Sequence, residues 1–551
     1  MGLIVRSVKI SYASSPFLYT VNMLLILAGG LSNVISIYMT QYLVNAIQFF
    51  EGEFPYYVIF IYAAVMIVFE LISSLTSFLY QKMSLKLENH LNLLMADKLS
   101  KLKLKYFENE TSYELITRAN DMGKNKLLEL NNHLPMLIQN IISMASVILL
   151  IAGMNYPCWY LIVIVPIFYS YFNLKLGRYS YDMEKNNVKN YRLSDYINYL
   201  LSNNIARKEI LSYDIGNFLK EKYENAINKV LKNHVHISGR YALNNAIFGI
   251  LEVFIMVFII IKMIFESLKE RFGIGDIIGY VYSLKTIEGN IENLLNSVAE
   301  IYKDKIYLED FFEFMDINIQ ESRVGKVHLD EEIKELEIKN LSFSYSTGQN
   351  VLKGINFIFE KGRLYAIIGE NGAGKSTLVK LLSGLYAEYS GDILINGKNK
   401  RDFDADSLKG KITVMFQDFN KYEFNLRDNL TLGNNSIEDL DLNMLLEALK
   451  LPEDLDMQMG NWFGGEELSI GEWQKTAFIR AILRKAEVMI FDEPTASLDK
   501  NACKFINDYL FELAQKKIVI VITHRPEDLS KYDTCYIHMD ELKRREIWER
   551  S

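Results

Sequence analysis

Cysteine is scarce in this chain: Cys158, Cys503 and Cys535 are the only three in 551 residues. They are too few and too widely spaced for a disulfide framework or a cysteine metal centre. An excess of positive charge is also missing. With 60 basic and 68 acidic residues, the formal net charge is −8. That balance argues against a non-specific nucleic-acid binder, and no nucleic-acid partner is expected. Hydrophobic residues make up 50% of the chain, too many for intrinsic disorder. The most informative absence is local. Residues 10–50 contain no Asp, Glu, Lys or Arg, and neither do residues 134–174.

A membrane-spanning helix needs roughly 20 predominantly apolar residues. The first charge-free run predicts one span at 17–45. The second predicts two, at 134–154 and 157–174, with Asn155, Tyr156 and Pro157 marking the turn between them. Further spans are expected at 56–81, interrupted by Glu70, and at 241–265, with Glu252 inside and Lys262 near the end. The sixth, 273–299, carries Asp276, Lys285, Glu288 and Glu292. Buried helices of a large soluble protein are the competing reading, which two charge-free runs of this length disfavour. The N-terminus lacks the short apolar core and small-residue cleavage site of a signal peptide, so the first span is expected to remain as an anchor.

Lysine and arginine set the orientation. The segment between spans two and three carries Lys82, Lys86, Lys98, Lys101, Lys103, Lys105, Arg118, Lys124 and Lys126, and the one between spans four and five is also basic. The loop at 51–55 has Glu51 and Glu53 and no cation. The N-terminus, both long loops and the C-terminal half are therefore expected in the cytoplasm. Lys269 and Arg271 on the far side conflict mildly, beside Glu266 and Glu270. Residues 83–104 repeat Leu87, Leu91, Leu94, Met95, Leu99 and Leu102 at helical spacing. As a helix they would extend about 33 Å beyond the bilayer.

After about residue 331 the pattern changes to short β runs alternating with helices. Leu336, Ile338, Leu341, Phe343 and Tyr345 follow β spacing, and Ile393–Ile395 before Asn396-Gly397 predicts a hairpin. The apolar strand Leu364–Ile368 runs into Gly369-Glu370-Asn371-Gly372-Ala373-Gly374-Lys375-Ser376, followed by Thr377. This is a Walker A loop in its strand–loop–helix context. Its backbone N–H groups and helix N-terminus suit phosphates, Lys375 the β- and γ-phosphates, and Ser376 a Mg²⁺ ion. A second apolar strand, Val488–Asp492, ends in the acid expected on Mg²⁺, and Glu493 follows as the base for the attacking water. ATP and Mg²⁺ are thus the expected cofactors.

With these motifs the chain resembles an ABC transporter of the exporter half-transporter type over nearly its whole length. Gln417 in Met415-Phe416-Gln417 resembles the Q-loop, with a role in sensing Mg²⁺. Leu468-Ser469-Ile470-Gly471-Glu472 resembles the LSGGQ signature, departing from it at Ile470 and Glu472. Ser497 and Asp499, in Ala496-Ser497-Leu498-Asp499, resemble the D-loop. His524, in Thr523-His524-Arg525, resembles the γ-phosphate switch histidine, and Tyr345 the aromatic residue that stacks on adenine. The resemblance implies an all-α transmembrane domain of six helices with long cytoplasmic extensions (1–316), a linker (317–332) and an α/β P-loop nucleotide-binding domain (333–551).

The same resemblance implies alternating access driven by an ATP sandwich. Each ATP is held by the Walker A loop of one chain and the signature of the other, so a dimer is required: a second copy, or a related half-transporter. Because Ser469 and Gly471 are retained, two working sites in a homodimer are expected. Tyr106–Asp121 and Ala206–Asp214 resemble the cytoplasmic segments that couple the two halves. After Met539-Asp540 the usual final helix is expected to be missing or remodelled.

The cargo is read less directly. Trp473-Gln474-Lys475, with Phe463-Gly464-Gly465-Glu466-Glu467 before the signature, is similar to exporters of lantibiotics and other ribosomal peptides. Only about 16 residues precede the first span, so no leader peptidase is expected in this chain. A cargo with a leader then needs a separate peptidase, and a modified one separate modifying enzymes. Ionisable residues within spans are candidates for the pathway because a charge in lipid is costly. They are Glu70, Glu252, Lys285 and Glu288, with Tyr280 and Tyr282 on the last of these spans. Peptide export into or across the cell membrane is the first expectation. A lipid or hydrophobic-drug exporter is the alternative, and an ATP-dependent membrane regulator without cargo a remote one.

Overall fold

The computed structural model describes residues 2–49, 56–153, 160–267, 273–318, 327–345, 350–408, 410–434 and 436–542. The loop at 51–55, the turn at 155–157, the loop cations Lys269 and Arg271, part of the expected linker and the C-terminal tail from 543 lie outside these residues. Two compact units emerge. One comprises Met1–Ser100 and Glu114–Asp316; the other comprises Lys101–Tyr113 and Ile317–Ser551.

The first unit is helical: α1 (Gly2–Ser14), α2 (Pro16–Gln48), α3 (Tyr56–Lys101) and α5 (Glu110–Arg118), with α4 (Leu104–Glu108), between α3 and α5 in the chain, belonging to the second unit. A π turn at Ala119–Gly123 leads into α6 (Lys124–Gly153). It continues through α7 (Tyr160–Ser202), α8 (Asn204–Ser212), α9 (Gly216–Ser267) and α10 (Ile274–Asp316). Helices long and apolar enough to cross a membrane are Pro16–Gln48, Tyr56–Lys101, Glu110–Gly153 and Gly216–Phe265. The expected span at 157–174 starts in residues outside the described ones. Helix α10 is interrupted by Asp276, Lys285, Glu288 and Glu292, which keep it below that apolarity.

The repeat read at 83–104 is part of α3, which is unbroken over 46 residues. At 1.5 Å per residue that is about 69 Å, more than twice the hydrocarbon thickness. Its Met83, Leu87, Leu91 and Met95 are buried, one helical turn apart. The centre of the bundle joins Ile37 of α2, Val147 and Ile151 of α6, Ile259 and Met263 of α9, and Tyr280, Leu284 and Ile287 of α10. Several polar groups among these helices find their partners within the protein, which lowers the cost of placing them in lipid. Ser143 Oγ accepts from Asn33 (2.8 Å) and Asn290 (2.9 Å). Asp276 accepts from Gln41 (2.6 Å), Asn45 (2.8 Å) and the Gly273 N–H (2.7 Å), which explains how a carboxylate is tolerated at this position. Gly123 lets α10 approach the π turn: a Cβ there would stand 2.8 Å from Phe311 Cβ and 2.9 Å from the Tyr307 carbonyl.

The second unit has two sheets. The antiparallel sheet runs in the order β2-β1-β4-β5, with β1 (Glu335–Ser344), β2 (Asn350–Glu360), β4 (Ser390–Ile395) and β5 (Lys398–Asn399). The Asn396-Gly397 hairpin joins β4 to β5, as the sequence predicts. The parallel sheet runs β6-β7-β8-β3-β9, with β3 (Arg363–Ile368), β6 (Ile412–Met415), β7 (Val488–Asp492), β8 (Ile518–Ile522) and β9 (Thr534–His538). Every residue of β7 and β8 is buried, the continuous apolar run of a parallel strand covered on both faces. Helices α11 (Lys375–Leu382), α12 (Ala405–Leu408), α13 (Leu426–Thr431), α14 (Asp439–Leu449), α15 (Ile470–Leu483), α16 (Lys500–Ala514) and α17 (Met539–Leu542) complete the unit.

Candidate active site

The strand order builds the site. Strands β6, β7, β8 and β3 lie side by side and parallel, so the chain leaves all four at the same edge, where α/β sheets bind ligands. Gln417 follows β6, Asp492 ends β7 with Glu493 next, His524 follows β8, and the Gly369–Lys375 loop follows β3. Residues up to 155 positions apart in sequence are gathered in this way at one end of one sheet.

The loop after β3 closes around its own lysine. Lys375 Nζ donates to the Gly369 carbonyl and to the Glu370 carbonyl (3.3 Å), and lies 3.3 Å from His524 Nε2. Gly374 precedes α11 with φ +93°, and a Cβ there would stand 2.7 Å from Leu352 Cδ2. Only glycine fits without strain. Such a loop at a helix N-terminus can wrap an anion. Ser376 is exposed, while Thr377 is buried. Lys400 braces the other end of α11, donating to the Leu381 (3.1 Å) and Leu382 (2.6 Å) carbonyls. Burial pushes the Lys400 ammonium down to about 7.

Asp492 is buried, and burial, reinforced by the neighbouring Glu493, pushes its carboxyl up to about 6; Lys375 and His524 pull the other way. Glu493 has φ +51°, a conformation uncommon outside glycine, held because its N–H donates to the Ile522 carbonyl (2.9 Å). Its Oε1 lies 3.3 Å from His524 Nε2. The Ser376 hydroxyl and the Asp492 carboxylate are hard oxygen donors of the kind Mg²⁺ takes. Gln417 is exposed beyond β6.

Tyr345 ends the run of β1. Its hydroxyl lies 3.0 Å from Thr377 Oγ1, and its ring meets Phe343 and Tyr386 edge-on at 5.0 and 5.9 Å. It is therefore fixed beside the Lys375–Thr377 turn. Tyr345→Ala is expected to raise the Michaelis constant for ATP several-fold while lowering the maximal rate much less. Steady-state kinetics checks this, and an unchanged constant would remove Tyr345 from the adenine site.

The signature-like segment opens α15. Ser469 Oγ accepts from the Glu472 N–H (3.3 Å), and Glu472 Oε2 accepts from the Ser469 N–H (2.8 Å). The departure at Glu472 is thus one half of a capping box. Ile470 is 62% exposed, and Leu468 is buried. A Cβ on Gly471 would lie 3.0 Å from the Ser497 carbonyl. Gln474, a family signal in the sequence, has a structural role. Its Nε2 donates to the Glu493 carbonyl (2.8 Å), and its Oε1 accepts from the Ser497 N–H (2.9 Å). It ties α15 to both acidic loops. Asp499 caps α16 by accepting from the Asn501 (2.9 Å) and Ala502 (3.0 Å) N–H groups, which hold its carboxyl below the usual range.

The loop tip that belongs to this unit meets α11 directly. Glu108 of α4 pairs with Lys380 (2.7 Å), and Lys105 with Glu388. The segment read as Tyr106–Asp121 therefore touches the helix whose first residue is Lys375. The second such segment is α8 and its turn, with Leu211 and Tyr213 exposed.

Within the helical unit, Tyr169, Asn245, Phe248, Gly249, Glu252, Glu288 and Glu292 line a cleft of about 120 Å³. Two of the four ionisable span residues, Glu252 and Glu288, come together there from α9 and α10. Glu292 joins them, and Tyr169 donates to Asn245 (3.0 Å) at the edge. Glu70 and Lys285 are exposed elsewhere, Tyr280 is buried in the bundle core, and Tyr282 is exposed.

Comparison with known proteins sets these features in context. The model of the family described as "ABC transporter" matches residues 352–496. The subtilin transport ATP-binding protein SpaT of Bacillus subtilis is 31% identical over 511 residues, covering 90% of this chain and 83% of that protein. The nisin transport ATP-binding protein NisT of Lactococcus lactis subsp. lactis is 32% identical, covering 89% and 84%. An ATP-dependent lipid A-core flippase of Photobacterium profundum is 25% identical over 60% of this chain and 58% of that protein. A bacterial Atm1-family ABC exporter with ATP bound has the same fold, with a TM-score of 0.73 at 18% identity over 95% of this chain and 93% of that one.

Proposed function

The chain belongs to the ABC transporter family, and we propose that the cargo it exports is a ribosomally made, modified peptide of the lantibiotic or bacteriocin kind. It is an ATP-driven exporter of the half-transporter type, a multi-pass protein of the plasma membrane with its ATPase domain in the cytoplasm. The observation that carries the peptide reading is the similarity to two lantibiotic transport proteins at 31% and 32% over about nine-tenths of this chain, against 25% over 60% of it for a lipid flippase. The cleft between α9 and α10 supports it. Three glutamates with Tyr169 and Phe248 suit the ammonium or guanidinium of a cationic, amphipathic peptide.

The half-transporter architecture makes the working unit a dimer, and a second copy of this chain is the proposed partner. Exposed Leu211, Tyr213, Trp462, Phe463 and Ile470 offer apolar surface that such a partner would cover. In the proposed cycle, Lys375 and the Gly369–Gly374 backbone hold the ATP phosphates, with Tyr345 beside the adenine. Ser376, Asp492 and Gln417 would hold Mg²⁺, which would supply neutralising charge to the phosphates. Ser469 and Gly471 of the opposing copy close over the γ-phosphate. Glu493 takes a proton from the water as its oxygen bonds to the γ-phosphorus, the bond to the bridging β–γ oxygen breaks and ADP leaves, while His524, 3.3 Å from Glu493, holds the γ-phosphoryl oxygens. The Glu108–Lys380 pair carries the resulting motion from α11 to the loop tip.

The test uses the chain in lipid nanodiscs. A cationic lantibiotic precursor is expected to stimulate ATP hydrolysis at lower concentration than lipids or hydrophobic dyes. Glu252→Gln with Glu288→Gln should raise the half-stimulating peptide concentration at least about tenfold, the loss of roughly 1.4 kcal/mol of charge pairing, while basal turnover stays unchanged. Stimulation by lipids or dyes and by no peptide would replace the peptide reading with the flippase one.

A further inference from the structure

One cluster of metal-ligating side chains lies apart from the ATP site and from the glutamate cleft. Glu129 and His133 are four residues apart on α6, so both project from one face of that helix. Asp304 of α10 meets them, and the ligand atoms of all three lie within 4.8 Å of one another. Asp304 is completely buried, with 0% exposure, and neither of its carboxylate oxygens accepts a hydrogen bond. A buried carboxylate left in that state is costly unless a cation compensates it. In this structure the compensating charge is Lys126. Its Nζ stands 3.4 Å from Asp304 Oδ1 and also pairs with Glu129. The lysine arrives from the same face of α6, with its side chain 26% exposed and so able to swing into water.

We propose that Glu129, His133 and Asp304 form a binding site for a divalent first-row transition-metal ion, with Lys126 as the cation it displaces. One imidazole and two carboxylates are the donor set of such ions. Mg²⁺ and Ca²⁺ take oxygen ligands throughout and gain little from the histidine. A metal about 2.0–2.2 Å from each ligand needs ligand atoms about 3–3.5 Å apart. The three ligand atoms would close in by side-chain rotation, for which exposed Glu129 has room. The bound ion rivets α6 to α10 next to Leu134, where the expected span on α6 begins.

The full-length chain, without a histidine tag and freed of metal by chelation, is titrated with Zn²⁺ by calorimetry in millimolar Mg²⁺. Co²⁺ serves as a spectroscopic probe of the ligand set. The expected result is one Zn²⁺ per chain that Mg²⁺ does not displace. His133→Ala and Asp304→Asn should each weaken binding at least about tenfold, and His133→Ala should keep the basal rate of ATP hydrolysis, which reports an intact fold. Lys126→Met should tighten binding, since it removes the competing charge. No saturable binding in the parent chain, binding that His133→Ala leaves unchanged, or weaker binding in Lys126→Met would each overturn the proposal.

Discussion

Glu493→Gln should lower ATP hydrolysis by at least roughly a hundredfold while the protein still binds ATP and accumulates as a closed dimer. The Glu493 backbone is pinned at φ +51° by its N–H bond to Ile522 and by Gln474 donating to its carbonyl, so the isosteric amide inherits the same position. Only the ability to accept a proton from water is lost, and positioned general bases contribute about 10²–10⁴ in rate. His524 remains in place. Single-turnover hydrolysis and nucleotide retention measured together check the prediction. Near-normal turnover would remove Glu493 from the base role.

Gly374→Ala should raise the concentration of ATP needed for half-maximal binding about tenfold or more. A residue other than glycine in the left-handed region costs about 1–2 kcal/mol. In addition, the new Cβ would stand 2.7 Å from Leu352 Cδ2, a side chain that is itself fully buried and has little room to move. The loop must shift, and Lys375, the next residue, moves with it. Equilibrium binding of a fluorescent ATP analogue to the full chain checks this, with a melting curve to separate a distorted loop from a lost fold. Parent-like affinity would show that the loop tolerates a side chain.

The ATP machinery was legible because each of its parts is local: a buried strand followed at once by the chemistry. Strand β7 ends in Asp492 with Glu493 next, and β3 runs directly into the Gly369–Lys375 loop. What the motifs do not contain is the bonding between distant segments of the same chain that holds them. Gln474 looks like a family marker in the sequence, and its amide spans Glu493 and Ser497 in the structure. Glu472 reads as drift from the signature, whereas it closes a capping box with Ser469 that any Ser-x-x-Glu at a helix start can form. The membrane half was legible in its apolar runs and less so in its faces. Glu252 and Glu288 were singled out by burial cost alone. The convergence of Glu292, Tyr169 and Asn245 on them depends on how α7, α9 and α10 pack. Likewise, nothing in the spacing of His133 and Asp304, 171 positions apart, brings them together without α6 lying against α10. The charged residues of α10 carried the same lesson: Asp276 weakens the span as a sequence, and Gln41, Asn45 and Gly273 satisfy it in the fold.

The central claim is that this chain, as a dimer of identical copies, is a complete ATP-driven engine. ATP hydrolysis by the chain purified alone in lipid nanodiscs tests it most directly, with Glu493→Gln as the control. The account predicts steady turnover by the parent chain that disappears in the variant. Absence of turnover by well-folded, ATP-binding parent protein would contradict it and point to an obligate second chain supplying the signature that Ile470 and Glu472 have altered.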